Sequence, residues 1–199
     1  YVVVGDVYVQ RANNSSQLST LQIASGTTVK FTSSADLIIG HESSTSYRGA
    51  LTATGVTFTS LDSTGWPGID FRNQAYDAGC LLDSCTIENA TDGIYCATSN
   101  PTITNCTIQN NTDGIYADPG SQPTITGNTF TGNTFPVKIY AKWIDNNISG
   151  NTYAGNFAAD NSSSNYIYVY GDGDDHRLSE NKTYDWLKDG APYRMMHNI

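Results

Sequence analysis

The stretch Cys85-Thr-Ile-Glu-Asn-Ala-Thr-Asp-Gly-Ile-Tyr95 returns 21 residues later as Cys106-Thr-Ile-Gln-Asn-Asn-Thr-Asp-Gly-Ile-Tyr116. A repeat this short cannot bury an apolar face by itself, so its copies must stack on one another. The recurring apolar residues are Ile, Val and Phe set among Asn, Thr and Gly, a strand-and-turn composition rather than the Leu- and Ala-rich spacing of helical repeats. The chain is therefore expected to be a β-solenoid.

Extending the repeat gives five layers, beginning at Leu51, Cys80, Pro101, Pro123 and Asn146. Three apolar columns emerge: Ala53, Leu82, Ile103, Ile125 and Ile148; Phe58, Ile87, Ile108, Phe130 and Tyr153; Ile69, Ile94, Ile115 and Val137. Three columns predict three short strands per coil. Between the first two columns stand Gly55, Ser84, Asn105, Gly127 and Gly150, residue types that accept a left-handed backbone at low cost, so a tight corner is expected there. Equivalent strands return one coil later in the same direction, which requires parallel pairing.

This pattern resembles the right-handed parallel β-helix of the pectate-lyase-like superfamily. Leu21–Phe31 followed by Asp36–Gly40 resembles the opening layers of secreted β-helix proteins, so the likeness covers roughly residues 1–157. The expected fold class is all-β, a single-stranded right-handed parallel β-helix of about 21 residues per coil and roughly seven to nine coils. One domain is expected, with N-terminal coils over 1–50, regular repeats over 51–157, and a C-terminal strand and tail over 158–199 that is a candidate inter-subunit segment.

The net charge of −9 and the absence of a basic stretch argue against nucleic-acid or anionic-membrane partners. No apolar run is long enough to span a bilayer. Asn13, Asn14, Asn89, Asn105, Asn110, Asn147, Asn161 and Asn181 each open an Asn-x-Ser/Thr sequon, fitting a secreted glycoprotein, although an Asn- and Thr-rich solenoid also generates sequons by chance. Cys80, Cys85, Cys96 and Cys106 lie in two adjacent layers and are all disulfide candidates; a Cys80–Cys96 bond across one corner is favoured, and Cys85 and Cys106, stacked in one column, are equally compatible with a second bond or a buried thiol ladder. Together these point to an extracellular or cell-surface location.

Asp92 and Asp113 fall in one Asp-Gly column. Two stacked carboxylates suit either a calcium site or an acid–nucleophile pair, but Asp before Gly is also ordinary turn chemistry, which is the favoured reading. Asp172 and Asp174 form the densest acidic loop and are the other calcium candidates; no cofactor is otherwise expected. Asn111-Thr-Asp113 resembles the Asn-Thr-Asp motif of polygalacturonases, yet the Gly-His-Gly and Arg-Ile-Lys partners of that motif are missing. The calcium-and-arginine chemistry of pectate lyases also lacks its parts, since Arg48 and Arg72 stand far in sequence from any clear acid cluster. No catalytic residues are assigned on this basis.

Tyr95 with Tyr116, and Tyr166, Tyr168 and Tyr170, form aromatic rows suited either to stacking on sugar rings or to cross-strand ladders, the latter being the default. The chain begins with the strand-forming Tyr1-Val2-Val3-Val4, and Trp186, Pro192, Tyr193 and Met195 mark a tail that resembles the link into a following module. No amphipathic cap is evident at either end. The leading expectation is thus a non-enzymatic extracellular β-helix subunit that assembles head-to-tail into a filament or sheath. The alternatives are a carbohydrate-active or carbohydrate-binding module, with a surface polysaccharide as partner, and one module of a larger adhesin.

Overall fold

The computed structural model describes residues 1–11, 18–42, 47–144, 147–158, 162–170 and 190–196. The chain lays down strands in a fixed cyclic order. After β1 (Val2–Val3) and β2 (Val7–Val9) comes a coil of β3 (Ser19–Ile23), β4 (Thr28–Phe31) and β5 (Leu37–Ile39). The second coil is β6 (Gly49–Thr54), β7 (Thr57–Ser60) and β8 (Trp66–Phe71), and the third is β9 (Leu81–Asp83), β10 (Thr86–Glu88) and β11 (Ala90–Cys96). Next follow β12 (Thr102–Thr104), β13 (Thr107–Gln109) and β14 (Asp113–Ala117), then β15 (Thr124–Thr126), β16 (Thr129–Thr131) and β17 (Phe135–Tyr140). The sixth coil is β18 (Ile148–Ser149), β19 (Thr152–Tyr153) and β20 (Ile167–Tyr170), and β21 (Tyr193–Met196) closes the series.

Three parallel sheets result. Sheet A runs β1-β4-β7-β10-β13-β16-β19, sheet B runs β2-β5-β8-β11-β14-β17-β20-β21, and sheet C runs β3-β6-β9-β12-β15-β18. The three predicted columns are the in-register core lines of these sheets: Ala53 to Ile148 in C, Phe58 to Tyr153 in A, and Ile69 to Val137 in B, which continues to Ile167. Their side chains are buried and form one continuous core.

The coil count is lower than the repeat implies: about 6 turns at about 26 residues each. Ile87 and Ile108 are 21 residues apart, but Val29 and Phe58, paired in sheet A, are 29 apart. The excess lies mostly in the loops from sheet B to sheet C, which are long in the early coils and short within the repeats. Tyr193–Met196 pairs with the chain's own Ile167–Tyr170, and Ala191 is buried against the last coil, so this end carries a strand of its own. Val2–Val3, at the other end of the rod, lies in sheet A rather than sheet B.

The corner residues adopt the expected left-handed backbone, with φ of 63° at Gly55, 54° at Ser84 and Asn105, and 68° at Gly127 and Gly150. A second corner, between sheets A and B, uses the same device at Asn89, Asn110, Gly132 and Gly155. The residue after each such turn points inward. At the A–B corner it is Asn111, Asn133 and Asn156, each of whose Oδ1 accepts the backbone N–H of the residue one coil earlier: Ala90 at 2.9 Å, and Asn111 and Asn133 at 3.0 Å. Their Nδ2 groups donate to the carbonyls of Ile87, Ile108 and Phe130. The sequence reading did not anticipate these ladders. Buried corners expose backbone groups that no strand can satisfy, and an asparagine amide supplies a donor and an acceptor together.

The other corner carries Asn151 and Asn128, then Cys106 and Cys85. The two thiols continue the ladder, Cys106 Sγ donating to the Leu82 carbonyl at 3.5 Å and Cys85 Sγ to that of Ala53 at 3.4 Å. All four cysteines are buried free thiols, so the favoured Cys80–Cys96 bond is not formed. Burial pushes the Cys80 thiol up to about 11 and Cys96 well above its ordinary value.

Asn133→Ala is expected to destabilise the rod by about 2–4 kcal/mol, since it strands the buried Asn111 N–H and the Ile108 carbonyl together. The corresponding fall in Tm is roughly 5–15 °C. Thermal melting followed by circular dichroism reads it directly, and an unchanged Tm would remove the ladder from the account of stability.

Candidate functional site

The outer face of sheet B gathers most of the chemistry. Strand alternation places one outward column through Ile38, Asp70, Tyr95, Tyr116, Lys138, Tyr168 and Arg194, and a break in that alternation, marked by the register shift between Asp92 and Ile94, sets a second line through Gly68, Asp92, Asp113 and Phe135 beside it. Asp92 and Asp113 are not turn residues. They lie inside β11 and β14 in direct register, while the turns before them are made by Asn89 and Asn110. The glycines that follow are there for closeness rather than for turning: a Cβ on Gly93 would meet the Gly114 carbonyl oxygen at 2.7 Å, and one on Gly114 would meet that of Pro136 at 2.4 Å. Turn chemistry therefore leaves the two aspartates unexplained.

Their surroundings favour the protonated form of the Asp92 carboxyl. Lys138 Nζ forms an ion pair with Asp113 Oδ2, in a side chain only 8% exposed. Asp113 Oδ1 is buried and receives no N–H or hydroxyl donor, and the Asp92 carboxyl hydrogen-bonds to this side chain. Burial, the charge of Asp113 and that hydrogen bond push the Asp92 carboxyl up to about 6. A buried acceptor facing a second carboxyl is satisfied when that carboxyl keeps its proton.

Beside Asp92 lies a pocket of about 80 Å³, lined also by Asp36, Asp70 and Tyr95. Gly68, across from Asp92 in register, carries no side chain, so nothing from β8 fills the space. Asp70 bonds Arg72 Nε at 2.7 Å, and Arg72 also reaches Glu42 at 3.2 Å. Arg72 is thus part of an acid cluster, contrary to the expectation from its place in the sequence. Burial raises the Asp70 carboxyl against the pull of Arg72, while burial and the charge of Asp70 bring Asp36 up to about 6.

A tyrosine platform adjoins the acids. Tyr95 and Tyr116 stand 5.3 Å apart between ring centroids, Tyr116 and Tyr170 6.5 Å, and Tyr140 and Tyr170 6.0 Å. Lys138 lies 5.3 Å from the Tyr116 ring centre and 4.4 Å from that of Phe135. Burial holds the phenols of Tyr95, Tyr140 and Tyr170 up at about 12, so they remain protonated donors. Tyr168 is buried, its hydroxyl engaged with Ser164, and Arg194 covers it together with Tyr166.

Other predicted positions are dispersed. Asn111 belongs to the inner ladder and not to the outer face. Among the described residues no group of three His, Cys, Asp or Glu side chains is arranged to hold a metal ion. Asp172, Asp174, Trp186 and the sequons at Asn13, Asn14, Asn161 and Asn181 lie outside the described residues. Asn105 and Asn110 are exposed at corners, Asn147 is half-buried, and half-buried Asn89 donates to Thr59 Oγ1. Tyr1, Val2, Val4 and Met195 are exposed, Val3 and Tyr193 pack on the core, and Pro192 contributes its carbonyl to Ile167 N–H. No helix among the described residues is long and apolar enough to cross a membrane.

Asp36, Asp70 and Lys138 were not singled out from the sequence. The signal for the last two was present, since the alignment of Ile69, Ile94, Ile115 and Val137 sets the residue after each one, Asp70, Tyr95, Tyr116 and Lys138, on a common outward line.

Comparison with known proteins agrees with the coil geometry. The sequence model of the right handed beta helix region matches residues 37–185, most of the chain. No curated protein and no solved structure matches it. Three parallel sheets, left-handed corner residues and that match lead to one assignment: the chain belongs to the right-handed β-helix family.

Proposed function

We propose that the outer face of sheet B is a glycan-cleaving surface. The observation that carries this reading is the in-register pair Asp92 and Asp113, a half-buried carboxyl poised near pH 6 next to an ion-paired partner and a row of tyrosines. Glycoside hydrolysis needs an acid to protonate the departing oxygen and a carboxylate to draw a proton from water. Asp92 supplies the first, and Asp70, across the pocket and held by Arg72, the second. The glycosidic C–O bond breaks, its oxygen takes the Asp92 proton, and water adds to the sugar carbon as Asp70 accepts a proton. Asp113 and Lys138 position the acid, and Tyr95 and Tyr116 offer ring faces to the sugar. The test is release of reducing ends from a panel of neutral and acidic polysaccharides at pH 5, declining as pH rises through about 6. No release from any of them would end this reading.

A second reading, end-to-end assembly at an extracellular surface, draws on the N-terminal end of the rod. Tyr1, Leu21, Ile23 and Val29 line an apolar hollow of about 380 Å³ there, with Val2 and Val4 exposed beside it. A second copy entering with its β18, β19 and β21 edges would continue all three sheets with strand direction preserved. Sedimentation velocity is expected to show association that grows with concentration and is abolished by Val2→Lys. A monomer at every concentration would remove the reading.

A further inference from the structure

At the corner between sheets A and B a groove of about 570 Å³ runs alongside the aspartate pair. Its size falls within the ordinary range of ligand sites. It exists because the connection from sheet A to sheet B shortens between adjacent coils: β7 and β8 are joined by the five residues Leu61–Gly65, whereas Asn89 alone joins β10 to β11. The longer loop stands as a wall, and the following coils form a floor of Asn89, Thr91, Asn110 and Thr112. The wall is preformed. Asp62 Oδ1 accepts both the Thr64 N–H at 2.9 Å and the Thr64 hydroxyl, and Ser60 Oγ donates to the Asp62 carbonyl. A wall set before binding leaves less ordering cost to be met by the ligand.

We infer that this groove binds an uncharged glycan and feeds it to Asp92, an inference that rests on the hydrolytic reading and names its substrate class. The groove presents hydroxyls and amides, the donors and acceptors that match sugar hydroxyls, and no cation. Its one acidic side chain, Asp62, is kept ionised by the Thr64 hydroxyl and N–H, which hold it below the usual carboxylate range. On the adjoining face the two cations beside the acids are committed, Arg72 to Asp70 and Glu42 and Lys138 to Asp113. A uronate chain would meet Asp36, Asp62, Asp70 and Asp92 with no free Lys or Arg among the groups that line the groove and pocket, in a protein of net charge −9. An acidic polymer would therefore meet like charge along both the groove and the pocket.

The periodicity fits a polymer. Thr91 and Thr112 are exposed and lie one coil apart, about 4.8 Å along the rod, close to the length of one sugar unit. Each immediately precedes one of the paired aspartates, so a chain resting on this floor passes the acid.

The test is affinity electrophoresis of the 199-residue chain in gels containing hydroxyethylcellulose, galactomannan, xylan, polygalacturonate or chitosan. Retardation is expected in at least one of the three neutral polymers and not in polygalacturonate. The double variant Thr91→Val, Thr112→Val is expected to weaken that binding about tenfold, the effect of losing two hydrogen bonds, with an unchanged Tm because both sites are exposed and stay β-branched. Retardation by polygalacturonate or chitosan instead, by no polymer, or by a neutral polymer that the double variant holds equally well would overturn the inference. The two proposals fail separately. Binding of a neutral polymer without release of reducing ends removes hydrolysis and keeps the ligand class, whereas cleavage of polygalacturonate keeps hydrolysis and removes the ligand class.

Discussion

Asp92→Asn is expected to lower glycan cleavage by about 10²–10⁴-fold, the usual contribution of a positioned acid, while the variant melts no lower than the parent at neutral pH. The amide keeps the shape of the side chain and can still donate a hydrogen bond to Asp113, but it has no proton to give. The stability half of the prediction follows from linkage. The Asp92 carboxyl is raised from an ordinary 3.8 to about 6 in the folded chain, so between those values the folded state holds more protons than the unfolded one. Its contribution to stability is therefore full below about pH 4 and lost as pH rises through about 6. Asp36 is raised to about 6 and acts in the same direction.

At pH 7 the parent thus carries the cost of ionising Asp92 in a half-buried place, and the amide does not. After allowance for solvent screening this is about 1 kcal/mol, or roughly 2–4 °C in Tm. Calorimetry at pH 4 and pH 7 should find the advantage of the variant only at pH 7. A variant that cleaves at more than a tenth of the parental rate, or that loses stability more at pH 7 than at pH 4, would contradict the assignment of the proton.

Why the fold was legible and the site was not has a common physical origin. A stacked coil forces the same residue types into the same positions, so aligning Ile87 with Ile108 or Gly55 with Ser84 recovers register and corner directly. Function on such a rod is built from what differs between coils. Asp70, Tyr95, Tyr116 and Lys138 occupy one outward line with three different chemistries, and a repeat alignment treats that variation as noise. The Asp-Gly pair failed in the opposite way. It does repeat, so local turn preference appeared to account for it, but the single left-handed residue at Asn89 or Asn110 had already made the turn. The asparagine ladders were hidden because Asn in a β-rich chain ordinarily marks loops, and only burial distinguishes an inward Asn133 from an exposed Asn110.

The largest stability effect is expected at Gly68, where the fold and the site meet. Its φ of 137° is a backbone conformation that side-chain-bearing residues rarely adopt, and a Cβ there would lie 1.6 Å from the Asp92 carbonyl oxygen. Gly68→Ala must force β8 away from β11 at the pairing of Gly68 with Asp92, where the register already shifts before Ile94. Backbone strain of about 1–3 kcal/mol adds to the lost ladder bonds and the disturbed packing around Trp66 and Ile69. The total is roughly 4 kcal/mol or more, at the severe end for one substitution, and a Tm lower by roughly 8–16 °C. Gly65→Ala provides the comparison. Its φ is also positive, at 84°, but the added Cβ meets nothing closer than the Asn89 carbonyl oxygen at 3.3 Å, so about 1 kcal/mol is expected. Strand separation would also admit water to Asp92 and return its carboxyl toward 3.8, moving the alkaline limb of any cleavage profile to lower pH with it. If Gly68→Ala melts like Gly65→Ala, the close contact between β8 and β11 is not what buries Asp92, and the acid loses the physical basis of its raised pKa.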